Sequence, residues 1–199
     1  MPREVLLNNL AGVPSIVFGP LRAPKERIAP TEEGNRFERE KAAAFVSPGE
    51  TPDPARFRTS LIHGEVHDGN AHALSGVAGH AGLFGDAGAV ARLAREFAGA
   101  GRGLFGERAL ARFRENLTPG LEEGRSLGWK LAVAGAREAE GVLSPDAFGH
   151  TGFTGTSVWI EPRTARVHVL LTNRVHPDVR PIDMTALRRG FHAAARDLS

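Results

Sequence analysis

Gly149-His150-Thr151-Gly152-Phe153-Thr154-Gly155-Thr156-Ser157-Val158-Trp159-Ile160 passes from a glycine-punctuated start into β-branched and aromatic residues, which pack well on a pleated surface. Glu161-Pro162-Arg163-Thr164 then reads as a turn, because proline pre-sets the backbone angle at its second position. Val167-His168-Val169-Leu170-Leu171-Thr172 follows as a second apolar run of strand length. Residues 154–173 therefore predict an antiparallel hairpin. Its second strand is apolar on both faces, which predicts a place near the middle of a sheet.

The entry to this hairpin carries chemistry. His150, Thr151 and Gly152 put a titratable side chain, a hydroxyl and a glycine in succession. Such a run suits an acyl-transfer edge, because the glycine lets a ligand approach the backbone. The same residues also suit an ordinary strand start with a solvated histidine, and spacing alone does not choose between the two.

The 199 residues and 21.2 kDa correspond to one domain or a large piece of one. A hydrophobic fraction of 41% with 24% charged residues is that of a globular protein. No apolar run approaches the roughly 20 residues of a membrane span. Met1 to Asn8 contains Glu4 and an asparagine where a signal peptide needs a longer apolar core. No signal peptide is expected in this chain, so its compartment stays open: cytoplasmic as it stands, periplasmic or secreted if a longer native chain carries a signal. The absence of cysteine excludes disulfides, thiolate metal sites and a cysteine nucleophile. The net charge of +2 is small and the basic residues are dispersed, which excludes the clustered basic face of a nucleic-acid binder. Arg188-Arg189 is the nearest approach and is expected on a solvated helix face.

Residues 1–60 form an irregular, proline-rich N-terminal segment, since Pro14, Pro20, Pro24, Pro30, Pro48, Pro52 and Pro54 break any periodic pattern. Val5-Leu6-Leu7 with Leu10 suits the tail of a helix, residues 31–44 a short charged helix, and Ser47 to Ala55 a surface loop. Residues 61–199 read as the main folded part. Asp86 is placed to cap a helix whose Val90, Leu93, Ala94 and Phe97 share a face. Glu107 to Leu117 predicts a short helix, and Arg180 to Leu198 a terminal one with Leu187, Phe191, Ala195 and Leu198 as its apolar stripe.

His63, His67, His72 and His80 fall close to Glu65 and Asp68. They suit either a metal site or polar loop positions. Gly64 and Gly69 argue against the continuous helix that would align ligands, and no His-Glu-x-x-His occurs, so no metal is expected. Gly76, Gly79, Gly82 and Gly85 lead into the Asp86 helix, as an anion cradle or as tight backbone packing. Gly101-Arg102-Gly103-Leu104-Phe105-Gly106 spells a dinucleotide fingerprint but follows a helix rather than a strand. Gly124-Arg125-Ser126-Leu127-Gly128 spells a nucleophile elbow, yet Trp129 to Val133 after it reads as a strand rather than the helix an elbow needs.

Several blocks in order resemble the penicillin-recognising serine hydrolases, which include class C-type β-lactamases, D-Ala-D-Ala carboxypeptidases and related esterases. Gly149 to Leu171, with Thr172-Asn173-Arg174-Val175-His176-Pro177, is similar to that family's C-terminal motif region, whose Lys-Thr-Gly has His-Thr-Gly as a variant. Gly64-Glu65-Val66-His67-Asp68-Gly69-Asn70-Ala71 and Gly76-Val77-Ala78-Gly79-His80-Ala81-Gly82-Leu83-Phe84-Gly85 are similar to the segment between its second and third motifs. The likeness runs from about Ile28 to the C-terminus.

The family's nucleophile lies in Ser-x-x-Lys and its second motif is Tyr-x-Asn or a Ser variant. Lys25, Lys41 and Lys130 have Arg22, Glu38 and Leu127 three positions before them, and the chain has no tyrosine. The resemblance thus implies the C-terminal part of such a hydrolase, with an α+β fold in which an antiparallel sheet (about 126–133, 155–160 and 167–172) carries flanking helices. It implies a substrate with an amide or ester bond and no cofactor. His150, Thr151, Gly152 and Phe153 become the catalytic edge, with the Phe153 N–H as an oxyanion donor. Thr154 and His80 become substrate-binding residues. His150 in place of lysine brings a charge that can vanish near neutral pH, which leans towards an esterase or peptidase. The chain alone is expected to be inactive, and to self-associate or require an upstream segment. Two other readings stay open: a non-catalytic binding remnant of the same fold, and a self-contained hydrolase using Ser126.

Overall fold

The computed structural model describes residues 16–47, 49–51, 53 and 57–197. Val5-Leu6-Leu7, Leu10 and Leu198 lie outside them, as does part of the expected 47–55 loop. In chain order the elements are β1 (Val17–Phe18), α1 (Arg36–Ala42), α2 (Gly69–Ala73), β2 (Leu83–Phe84), α3 (Ala87–Ala98), α4 (Glu107–Arg112), β3 (Lys130–Leu131), β4 (Phe148–Thr151), β5 (Ser157–Glu161), β6 (Arg166–Leu170) and α5 (Met184–Asp197). They group into two compact units. The first holds Ile16 with residues 85–172 and 182–197, and the second holds described residues of 17–84 with 173–181. Residue 60 lies inside the second unit.

The first unit is built on a four-stranded antiparallel sheet in the order β3-β4-β5-β6. The expected hairpin is present as β5 and β6, with Trp159 opposite His168 and Ile160 opposite Val167. Its position is corrected. β6 is the outermost of the four strands, so its apolar pattern does not come from a central place in the sheet. Helices explain it instead. On one face Phe148, Val158, Ile160 and Val167 pack with Ala94 and Ala98 of α3; on the other Trp159 and His168 meet His192 of α5. A strand between two helical layers loses the alternation that marks a half-solvated sheet.

The expected strand over 126–133 shrinks to Lys130–Leu131, because Ser126 to Trp129 is a turn closed by Ser126 N–H donating to Trp129 O at 2.9 Å. Phe97, Phe105, Phe113, Trp129 and Phe148 form an aromatic cluster with centroid separations of 4.7 to 5.7 Å. Such offset and edge contacts add to the burial of their area. α3 begins as predicted: Asp86 Oδ1 accepts from Ala89 N–H at 2.7 Å, and the helix ends at Gly99 in the left-handed region. The loop spelling the dinucleotide fingerprint does hold an anion, but an internal one. Glu96 accepts from Arg102 N–H at 2.6 Å and Leu104 N–H at 3.0 Å. Burial pushes the Glu96 carboxyl up, but these amides more than offset it and hold it below its ordinary value.

The terminal helix departs most from expectation. Its buried face is Met184, Arg188 and His192, one position round from the predicted stripe, and Leu187 is 42% exposed. Arg188, expected on a solvated face, is only 8% exposed. Arg188 bonds the carbonyls of Gly152 and Thr156 and the His192 ring packs on Trp159 and His168, neighbours that hydropathy cannot report.

The second unit pairs β1 with β2 and buries a polar centre. Glu32 and Asn35 are buried; the Arg58 Nε donates to Asn35 Oδ1 at 2.8 Å, and its other nitrogens donate to Val66 O and His67 O. Residues 173–181 return to it through Glu33 N–H to Pro177 O at 2.8 Å and His176 to Thr31 O at 2.9 Å. Within the glycine run, Gly82 serves tight packing, since a side chain there would overlap the Gly76 carbonyl, whereas Gly79 faces open space.

Candidate functional site

β4 is the structural basis of the site. His150-Thr151 is not the entry to a strand but its end, paired with β5 (His150 opposite Val158, Thr151 opposite Ser157), while Gly149 before it also faces β3 (opposite Lys130). The two glycines of this stretch have different causes. A side chain at Gly149 would overlap the Val158 carbonyl and the Trp159 ring, so this glycine makes room for a core tryptophan. A side chain at Gly152 would overlap Thr156 Oγ1 across the turn. Residues 152–156 form that turn, with Gly152 N–H donating to Thr156 O at 2.8 Å and Gly155 N–H to Gly152 O at 3.1 Å. Gly155, at φ +106°, adopts a conformation that a side chain would strain. Phe153 stands at the turn with its ring exposed, and Thr154 beside it is half-buried.

Two arginines that the sequence reading did not assign to this site complete the arrangement. Arg125 Nη1 donates to His150 Nε2 at 3.0 Å, so Nε2 carries the lone pair, while Nδ1–H donates to Thr151 O at 2.8 Å. These partners select the neutral Nδ1–H tautomer and leave the positive charge at this edge on Arg125. Arg125 is paired with Glu123, whose other oxygen meets Lys130 Nζ at 2.6 Å; Lys130 in turn reaches Glu138 at 2.7 Å. Burial pushes the Glu138 carboxyl up, yet Lys130 brings it below its ordinary value. From α5, Arg188 Nη2 donates to Gly152 O at 3.0 Å and Thr156 O at 3.1 Å, clamping both ends of the turn. Nothing in the local sequence marks Arg125 or Arg188. Their signal is long-range, through the 125–130 turn and the docking of α5.

His80 belongs to the second unit, where its Nε2 lies 3.1 Å from Asp68 Oδ1, while the same oxygen caps α2 by accepting from Ala71 N–H at 2.8 Å. The histidine group disperses to separate partners. His63 bonds the carbonyls of Lys25 and Ile28, His67 pairs with Glu32 at 3.0 Å, and His72 with Glu65 at 3.4 Å. Among the described residues no group of three or more His, Cys, Asp or Glu is placed to hold a metal ion.

Ser126 is 7% exposed, and its Oγ finds no hydrogen-bond partner among the described residues. It sits in a β-turn, not at a strand-to-helix elbow, and among the described residues no base is hydrogen-bonded to its Oγ. No helix of the described residues is long and apolar enough to cross a membrane.

The chain is similar to known proteins. Proteins of Salmonella agona (strain SL483), Salmonella enteritidis PT4 (strain P125109) and Salmonella newport (strain SL254), each named "Putative D-alanyl-D-alanine carboxypeptidase", are 34% identical to the chain over 178 residues. The match covers 84% of this chain, which spans 40% of the length of these curated relatives. The family model described as Beta-lactamase matches residues 3–192, nearly the whole sequence, and the chain belongs to that family.

Proposed function

We propose that the chain is the C-terminal portion of a β-lactamase-related serine hydrolase, providing one wall of an acyl-transfer site and inactive by itself. The observation that carries this reading is the end of β4. His150 and Thr151 stand beside a glycine at a tight turn, and no Ser-x-x-Lys occurs in the 199 residues. In the reaction a serine oxygen from an upstream segment attacks the carbonyl carbon of an amide or ester. The C–N or C–O bond breaks and the leaving group departs with a proton; water then cleaves the acyl ester and restores the serine. The Phe153 N–H stabilises the developing oxyanion, and Gly152 keeps the approach clear. Thr151 and Thr154 bind substrate.

The charges favour one substrate class. His150 in its neutral tautomer cannot replace the family lysine, but Arg125 beside it can offer a fixed cation to a substrate carboxylate. This supports a D-amino-acid peptide with a free C-terminus over an uncharged ester, in line with the name of the Salmonella relatives. The outer edge of β6 pairs with no further strand among the described residues, which supports completion by an upstream segment or a second copy. The absent Ser-x-x-Lys also supports a second reading, a binding module that keeps the cleft edge without the chemistry.

The test is intact mass after exposure to a fluorophosphonate and, separately, to a penicillin. The chain alone should give no adduct, and the chain combined with an upstream Ser-x-x-Lys segment should give one on that serine. An adduct on Ser126 of the chain alone would overturn the proposal; no adduct in either preparation would favour the binding module.

A further inference from the structure

We infer that Arg188 is the positioning residue of the Gly152–Phe153 peptide: by holding Gly152 C=O from the α5 side, it aims the Phe153 N–H to the opposite side, where an oxyanion would form. The inference rests on the reading of that N–H as an oxyanion donor. The peptide is trans, so its C=O and N–H point in opposite directions. Fixing one therefore fixes the other. One nitrogen of the buried guanidinium reaches both Gly152 O at 3.0 Å and Thr156 O at 3.1 Å, so it grips the turn at its entry and its exit.

A turn with glycines at 152 and 155 needs such a grip. Glycine admits the backbone rotations by which a single peptide plane flips, and a flip here would carry the Phe153 N–H away from its direction. Within the turn Gly152 O is also bonded by the Gly155 N–H at 3.1 Å. That bond alone is a neutral one inside a flexible loop. The arginine adds a charge-assisted donor from a separate helix, on a planar head already ordered by burial. A cation on the carbonyl also draws electron density through the peptide, making the attached N–H a stronger donor.

The experiment is solution NMR on the labelled chain as it exists. Wild type should show a through-hydrogen-bond coupling between an Arg188 guanidinium nitrogen and the Gly152 carbonyl carbon. Arg188→Met keeps the bulk and removes the donors. It should shift the Phe153 amide proton upfield and broaden residues 152–156, while cross-strand contacts between His150 and Val158 remain. Arg188→Lys should recover part of the Phe153 shift. A merely structural arginine would lower the melting temperature and leave the Phe153 amide where it was, and that result would overturn the inference. Absence of the wild-type coupling would overturn it too, independently of whether either variant folds. Titration with N-acetyl-D-alanyl-D-alanine then separates the two readings. An Arg188-dependent Phe153 amide that ignores the dipeptide keeps the positioning role and counts against the proposed substrate.

Discussion

Acid should loosen the first unit through one residue, His192. Its ring is fully buried (0% exposed) against Trp159, His168 and Phe191, and neither ring nitrogen has a hydrogen-bond partner among the described residues. Burial, with further repulsion from His168 and Arg188, lowers its pKa from the ordinary 6.5 to about 4; Glu138 and Glu161 act in the opposite sense and do not prevail. The sign follows from proton counting. Between those two values the unfolded chain carries a proton on His192 that the folded chain refuses, so stability falls as pH falls through this window and levels off below it. A gap of that size corresponds to about 3 kcal/mol in all, and to about 2 kcal/mol already at pH 5.

The carboxylates Glu96, Glu138 and Glu161 also destabilise on acidification, but at lower pH, since each is held below its ordinary value. His192→Leu isolates the histidine. It removes the titrating group without leaving an orphaned partner, so it should cost little near neutrality. Both tryptophans, Trp129 and Trp159, lie in the first unit, so urea unfolding followed by their fluorescence reports on that unit. Wild type should lose about 2 kcal/mol more than His192→Leu between pH 7.5 and pH 5. Equal losses in the two proteins would refute the reasoning, as would an NMR titration placing His192 at an ordinary histidine value.

Three further outcomes are expected. Gly149→Ala should destabilise the first unit by about 2–4 kcal/mol and Gly152→Ala by less, because the first sets a new methyl against backbone and Trp159 while the second meets a movable threonine hydroxyl; urea midpoints for the pair check the order. Glu96→Gln should cost about 2 kcal/mol at neutral pH, by weakening the charged acceptor of the Arg102 and Leu104 amides, and the deficit should shrink in acid as the wild-type carboxyl protonates. In a form completed by the upstream segment, His150→Lys should displace Arg125 by like-charge repulsion and alter the pH profile of turnover; an unchanged profile would remove His150 from the mechanism.

The parts of the fold legible in the sequence are those governed by local rules. The cap at Asp86 and the β5–β6 hairpin follow from residue type and spacing. β4 is less visible because Phe148-Gly149-His150-Thr151 has no alternation, and Gly149 reads as punctuation when it is the partner of Trp159. The place of β6 is misjudged because a strand covered by two helices looks the same whether central or outermost. The His-Thr-Gly edge is legible as a motif, but its charge is not, since Arg125 reaches it only through the turn that precedes β3. The fingerprint loop is the instructive intermediate. Its glycines do present amides to an anion, and only the structure shows that the anion is the protein's own Glu96.

The underside of α5 shows why its register could not be read from hydropathy. Met184, Arg188 and His192 are spaced four apart on one face, and each addresses a different feature of β5 or the turn before it. The Met184 methyl comes within 3.1 Å of where a Gly155 side chain would begin, Arg188 holds the carbonyls of Gly152 and Thr156, and His192 packs on Trp159. An apolar stripe would bury comparable area with less cost, but it would tolerate sliding, because dispersion has no direction. The hydrogen bonds of Arg188 do not tolerate it: a shift of one residue would leave a buried guanidinium and lose its bonds to two turn carbonyls. The polar face thus gives up stability, most of all in acid, and in return ties the position of a whole helix to the backbone of the His-Thr-Gly turn. Loss of α5 packing should therefore appear first in that turn, ahead of any loss of the β4–β5 ladder.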